Sequence, residues 1–258
     1  MTIVRPVLIV LTRRDWSGTE HLPPQNGFVL ATNHLSEFDP LPLAHFVYDG
    51  GRVPRFLGKI EVFAVPVLGW ILRSAGQIPV YRRSADASKA YDAAVAAVRA
   101  GECVIVYPEG TISRDPGLWP MVGKTGAARI ALSTECPVIP CAMWGPNEVL
   151  APYSRRPRVL PRKVMHVRAG KPVELTDLAR LPLTTDVLHE ATSRVMDAIT
   201  VLLEDIRGTR APDVRFDPKA QGVPETGNPN DPRNKSAVRP CLREGHESEQ
   251  AHDGGEPA

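Results

Sequence analysis

Apolar residues fall along this chain in two arrangements: short unbroken runs, and stripes spaced three or four residues apart. The runs at Phe28 to Thr32, Val104 to Tyr107, Val138 to Met143 and Val164 to Arg168 predict strands buried on both faces. Among the stripes, Ala87, Ala90, Tyr91, Ala94, Val95 and Val98 share one helical face, with Ser84 or Asp86 placed to cap it and Gly101 to stop it. A second helix is predicted over Lys124 to Ser133. A third runs from about Thr185 to Ile206, turning Leu188, Ala191, Val195, Ile199, Leu202 and Ile206 to one side. Strands separated by helices predict a layered α/β fold, a single domain with helices on a sheet, and no internal repeat interrupts the order.

The periodicity ends near Gly208. Beyond it, Pro212, Pro218, Pro224, Pro229, Pro232 and Pro240 alternate with small and charged residues, a composition that cannot bury enough apolar surface to offset the entropy of ordering. The expected organisation is one domain over residues 1–207 and a disordered tail over 208–258. At 258 residues and 43% hydrophobic content, the chain supports one sizeable core.

Composition removes several classes of function. A net charge of +2 and a pI near 8.4 lack the concentrated basic character of a nucleic-acid binder, though they leave room for a local basic pocket. Cys103, Cys136, Cys141 and Cys241 form no CxxC pair and read as reduced thiols. The apolar run in VRPVLIVLT is too short to span a bilayer, meets Arg13 and Arg14, and precedes no small-residue cleavage site. Val62 to Leu72 is also too short and contains Pro66 and Gly69. The expectation is a cytoplasmic protein that touches the inner face of the plasma membrane peripherally.

Candidate chemistry gathers where strands end. FVLAT runs into Asn33, His34 and, five residues on, Asp39 followed by Pro40. Ligands of α/β sheets bind outside the carboxyl ends of strands. An imidazole there can take a proton from an attacking hydroxyl, provided a carboxylate on its other nitrogen fixes the tautomer. A capping histidine beside a surface Asp-Pro turn is the plainer alternative for the same residues. Arg82 follows GQIPVY and can be a phosphate-holding guanidinium or an exposed strand-end arginine. Glu109, Gly110 and Thr111 follow CVIVYP, where Gly110 permits close backbone approach and Glu109 can accept hydrogen bonds from hydroxyls or an arginine, although a plain turn also fits. Phe63, Val67, Leu68 and Trp70, after Lys59 and Glu61, fit an acyl channel, a membrane contact or ordinary core.

Rival motifs fall short. GKT at Gly123 to Thr125 lacks the preceding glycine at P-loop spacing. His21, His45, His166 and His189 lack metal-ligand spacing, and neither Ser36 nor Ser113 stands in a G-x-S-x-G elbow.

Four blocks together resemble the glycerolipid acyltransferases, the family of 1-acylglycerol-3-phosphate acyltransferases. Asn33, His34, Ser36 and Asp39 match N-H-x-S-x-x-D; GQIPVYR, from Gly76 to Arg82, is similar to the second block. YPEGTIS, from Tyr107 to Ser113, is similar to F-P-E-G-T-R-S, and VIPCAMWG, from Val138 to Gly145, to the fourth block. The resemblance implies a largely parallel, mixed sheet flanked by helices, like that of the glycerol-phosphate acyltransferases. It implies His34 and Asp39 as catalytic residues, with Asn33, Ser36, Arg82, Glu109, Gly110 and Thr111 as substrate-binding residues. It further implies an acyl-CoA or acyl carrier protein donor, a lysophosphatidate-like acceptor and a membrane surface as partners, and no metal or other cofactor. The block's usual arginine is Ile112 here, which leaves Arg114 or Lys124 to supply the charge and keeps open another lysophospholipid or a glycolipid as acceptor. A non-catalytic lipid-binding module is the alternative from outside enzymes.

Overall fold

A computed structural model describes residues 4–80, 87–225 and 227–229. Arg82 and the capping candidates Ser84 and Asp86 lie outside the described residues, as do the side chains of Lys59 and Leu68. The chain forms α1 (Val4–Leu11), β1 (Thr12–Ser17), β2 (Phe28–Thr32), α2 (Pro40–Asp49), β3 (Pro54–Lys59), α3 (Ile60–Phe63), α4 (Leu68–Ser74) and β4 (Ile78–Val80). It continues with α5 (Ala87–Arg99), β5 (Cys103–Val106), α6 (Gly126–Thr134), β6 (Val138–Trp144), α7 (Pro146–Val149), β7 (Lys163–Ala169), α8 (Thr176–Ala179) and α9 (Thr185–Arg207).

Among the described residues seven strands make one sheet, in the order β1-β7-β6-β2-β5-β3-β4. Neighbours are parallel except β6 and β7, which are antiparallel. Five strands therefore run one way, and β1 and β7 run the other. This is the expected mixed, largely parallel sheet flanked by helices.

Strand alternation sends successive side chains to opposite faces. Val29 and Ala31 of β2, with Val104 and Val106 of β5, join Ala94 and Val98 of α5, Ile130 of α6 and Val195 and Ile199 of α9 on one face. Phe28 and Leu30, with Cys103 and Ile105, pack on the other face beneath Leu43, Phe46 and Val47 of α2. The central strands are apolar throughout because both of their faces are covered. Each fully buried large side chain contributes roughly 1.5–3 kcal/mol. Thr184 caps α9 by accepting from the Val187 amide at 3.4 Å, and Gly208 ends it in the left-handed conformation.

The described thiols of Cys103, Cys136 and Cys141 are free. Burial pushes the Cys141 thiol up to about 12, so it behaves as a small hydrophobe.

The first part of the segment expected as a tail, residues 208–225, is placed against the body. The Val122 amide donates to the Phe216 carbonyl at 3.0 Å, Arg215 reaches Asp197 of α9 at 2.7 Å, the Ala211 amide donates to Glu204 at 2.8 Å, and Pro218 is buried. Residues 208–225 thus lie along the body through discrete polar contacts, which a search for apolar periodicity does not register. The rest of the expected tail, apart from 227–229, lies outside the described residues.

Candidate active site

β2 ends at Thr32 between β5 and β6, and the chain leaves the sheet through His34. Asp39 stands at the N-cap of α2 with Pro40 in the first helical position, but its carboxylate does not cap its own helix. Instead Asp39 Oδ2 turns back onto the loop and accepts three bonds, from His34 Nδ1 at 2.8 Å, the Leu35 amide at 2.6 Å and the Ser36 amide at 3.0 Å. Asp39 is fully buried while the His34 side chain remains 19% exposed. With Nδ1 donating to the carboxylate, the neutral ring carries its lone pair on Nε2, the nitrogen left to receive a proton.

Tyr107, just past the end of β5, lies against the His34 ring, with centroids 4.2 Å apart and planes inclined by 24°. Its phenol is pushed well above the usual tyrosine range by burial, and Asp39 adds to that shift. The ring acts as a wall that limits the imidazole's rotation. In the sequence the residue stood out only as the end of an apolar run and the start of YPEGTIS.

Several residues expected to bind substrate hold the loop in place. Asn33 is buried and bonds the Met143 backbone twice, Nδ2 to the carbonyl at 3.0 Å and Oδ1 from the amide at 2.8 Å. It extends the β2–β6 pairing by one side chain. The hydroxyl of Ser36 donates to the Leu150 carbonyl at 2.6 Å and accepts from the Phe38 amide at 3.0 Å. Glu109 takes the His34 amide on Oε1 at 2.9 Å and the Met121 amide on Oε2 at 3.0 Å. Burial pushes its carboxyl up to about 8, against the lowering effect of those two amides. Buried and engaged by two backbone amides, Glu109 braces the His34 loop.

The remaining candidates form the next part of the same rim. Gly110 adopts a φ of +69°, and a β-carbon there would stand 3.2 Å from Lys124 Cδ, so the lysine stem passes over it. The Lys124 amide donates to the Pro108 carbonyl at 2.8 Å. Thr111 Oγ1 lies 3.4 Å from the Tyr153 hydroxyl, and the Arg114 guanidinium sits over the Tyr153 ring at 5.1 Å. Arg114 donates to the Gly227 carbonyl at 2.6 Å, and its Nε and the other terminal nitrogen are buried without a partner among the described residues. Burial lowers its pKa. Ile112 is packed inside and the Ser113 amide donates to the His34 carbonyl at 2.8 Å, so no cation occupies the position where the family's arginine stands. Tyr153, with nothing in its sequence surroundings to mark it, joins Thr111 to Arg114.

A family model described as Acyltransferase matches residues 13–144, a span that contains His34, Asp39, Glu109 and Arg114. The chloroplastic 1-acyl-sn-glycerol-3-phosphate acyltransferase of Brassica napus is 32% identical over 142 residues, 54% of this chain and 39% of that protein. The 1-acyl-sn-glycerol-3-phosphate acyltransferase of Borreliella burgdorferi is 29% identical over 132 residues, 51% of each chain. The Bacillus subtilis enzyme of the same description is 29% identical over 167 residues, 63% of this chain and 75% of that one. The match thus spans 39% of the Brassica relative and 51% of the Borreliella relative. In three dimensions the fold is that of the 1-acyl-sn-glycerophosphate acyltransferase PlsC from Thermotoga maritima, with a TM-score of 0.62 at 20% identity, covering 82% of this chain and 79% of that structure. With a matching family model over half its length and the dyad in place at the end of β2, the chain belongs to the glycerolipid acyltransferase family.

Proposed function

We propose that the chain moves a fatty acyl group from an acyl thioester, acyl-CoA or acyl carrier protein, to the free hydroxyl of 1-acylglycerol-3-phosphate. The observation that carries this reading is the dyad: His34 Nδ1 held at 2.8 Å by the buried Asp39, with Nε2 left for the substrate.

His34 Nε2 takes the proton of the acceptor hydroxyl while its oxygen attacks the thioester carbonyl. The tetrahedral adduct collapses with cleavage of the carbon–sulfur bond, and the imidazolium returns the proton to the leaving thiolate. Asp39 keeps the ring oriented and stabilises its charged state, so no acyl-enzyme and no cofactor enter the route. Arg114, with Lys124 and with Arg82 from outside the described residues, would hold the phosphate and so position the hydroxyl. Because both substrates are amphiphiles, the protein is proposed to work from a membrane surface on the cytoplasmic side; among the described residues no helix is long and apolar enough to cross a bilayer.

A second acceptor is favoured by one observation. Ile112 is buried where the family's third block carries arginine, which suits another lysophospholipid or a glycolipid whose charge is placed differently.

Purified protein assayed with acyl-CoA and lysophosphatidate is expected to release CoA only when acceptor is present. His34→Ala should lower kcat on the order of 10²–10⁴-fold, and Asp39→Asn should also lower it. CoA release that needs no acceptor, or that survives in His34→Ala, would sink the proposal. Acceptors with and without the phosphate separate the two readings of the acceptor.

A further inference from the structure

The structure assigns Tyr153 as the residue that positions Arg114 for the acceptor's phosphate. This role rests on the acyl-transfer reading above and adds to that site a residue lying outside the four sequence blocks.

Ala151, Pro152, Tyr153 and Ser154 form a reverse turn, closed by the Ser154 amide donating to the Ala151 carbonyl at 2.9 Å. Pro152 stands second in the turn and Tyr153 third, with a φ of +58°. Turns with proline second and a positive φ third ordinarily place glycine or asparagine there, because a bulky side chain is strained in that conformation. An aromatic residue held in it is an outlier that its surroundings must over-determine. The turn is tied down before and after the tyrosine. Ser36 of the His34 loop donates to the Leu150 carbonyl at 2.6 Å, and the Arg158 amide donates to the Val149 carbonyl at 2.6 Å.

From this turn the Tyr153 side chain reaches three successive parts of the third block and its flank. Its hydroxyl lies 3.4 Å from Thr111 Oγ1 and 3.5 Å from the Ile112 carbonyl, and its ring face meets the Arg114 guanidinium at 5.1 Å. That separation is within the range in which a cation is attracted to an aromatic face. Burial raises the phenol's pKa, against the opposing pull of Thr111 and Arg114, so the hydroxyl stays a neutral donor. Both hydroxyl contacts are long, as polar contacts in a site without its substrate often are.

Arg114 is the cation that needs holding. Ile112 is packed inside, so the charge of the third block comes from two positions further on, where the Ser113 amide, donating to the His34 carbonyl at 2.8 Å, keeps Arg114 next to the catalytic loop. One terminal nitrogen of Arg114 donates to the Gly227 carbonyl at 2.6 Å, while Nε and the other terminal nitrogen are buried without a partner among the described residues. Buried N–H donors are almost always paired, and a phosphate supplies both the acceptor oxygens and the countercharge that these lack. A carboxylate at the place of Tyr153 would hold the guanidinium and neutralise it. An aromatic ring holds it and leaves its charge for the ligand.

The test compares two acceptors with acyl-CoA and the full chain: lysophosphatidate, and monoacylglycerol with the same acyl chain and no phosphate. Tyr153→Gly suits the turn and removes the ring. It is expected to raise KM for lysophosphatidate on the order of tenfold, to keep kcat within about twofold, and to leave KM for monoacylglycerol in place. Tyr153→Leu keeps the bulk and loses the ring's π face, so the same selective rise is expected of it with the fold retained. Tyr153→Phe keeps the ring and should hold KM for lysophosphatidate within about threefold of wild type. In an Arg114→Gln background Tyr153→Gly should add no further loss, because the group it positions is gone. KM rising equally for both acceptors, KM for lysophosphatidate unmoved by Tyr153→Gly and Tyr153→Leu, or losses that multiply in the double variant would each overturn the role of Tyr153 alone. A wild-type protein that does not use lysophosphatidate at all would overturn it together with the reading on which it rests.

Discussion

Glu109 carries a role that its residue type does not announce: it takes two backbone amides, those of His34 and Met121. Its carboxyl is held near 8, far above the usual 4.5, by burial. Between those values the folded chain binds a proton that the unfolded chain does not. The stability this group contributes is therefore complete below about 4.5 and is lost as pH rises toward 8. Glu109→Gln removes that titration, and an amide can accept only one of the two N–H bonds. We expect Glu109→Gln to lower stability by about 1–3 kcal/mol at the acidic end of the window. The gap should narrow toward the alkaline end, by at most about 1.4 kcal/mol per pH unit. Denaturant unfolding of both proteins across that range checks it, and a gap independent of pH would show that the strut does not titrate.

The same residue scale explains what the sequence could disclose about the site. His34 and Asp39 are five positions apart, so their pairing is local; spacing alone left a plain turn open, and the four ordered blocks made the pair legible. Asn33, Ser36 and Glu109 look like free polar groups in the sequence because their partners, Met143, Leu150 and Met121, are placed by the fold. Tyr107 was visible only as part of a motif, since its stacking on His34 depends on β5 lying beside β2.

Among the elements, legibility follows burial. β2, β5, β6 and β7 coincide with the apolar runs to within a residue or two, and α5, α6 and α9 with the stripes. β1 escapes because TRRDWS is an edge strand with polar side chains on it, and edge strands of this kind carry charge that hides the pattern. α2 escapes because its opening PLP reads as a turn. The stripe on α9 gives the contrast to test. Ile199 is fully buried between the sheet and α6, whereas Val201, two residues on, is 62% exposed. Ile199→Ala is expected to cost about 2–5 kcal/mol and Val201→Ala less than about 0.5 kcal/mol. Chemical denaturation measures both; similar costs would mean that α9 is docked in another register.

At the scale of the whole molecule, the C-terminal segment and the proposed phosphate anchors meet. Lys124 Nζ lies 3.5 Å from Glu225, and Arg114 donates to the Gly227 carbonyl, so a carboxylate and a carbonyl stand on the two described cations that would hold an acceptor's phosphate. The Lys124–Glu225 pair is half exposed on both sides, which puts its worth at about 1 kcal/mol or less. An anion that binds Lys124 competes with Glu225 for the ammonium, so the pair weakens binding of a phosphate-bearing acceptor slightly. Glu225→Gln is expected to lower KM for the phosphate-bearing acceptor by up to about fivefold, to leave kcat in place, and to leave KM for a phosphate-free acceptor unchanged. Raised salt should shrink the difference, because the pair is exposed and already screened in part. An equal fall in KM for both acceptors would mean that Glu225 acts on the shape of the rim rather than on charge, and no change for either would remove Lys124 from the phosphate site and leave Arg114, with Arg82, to hold it.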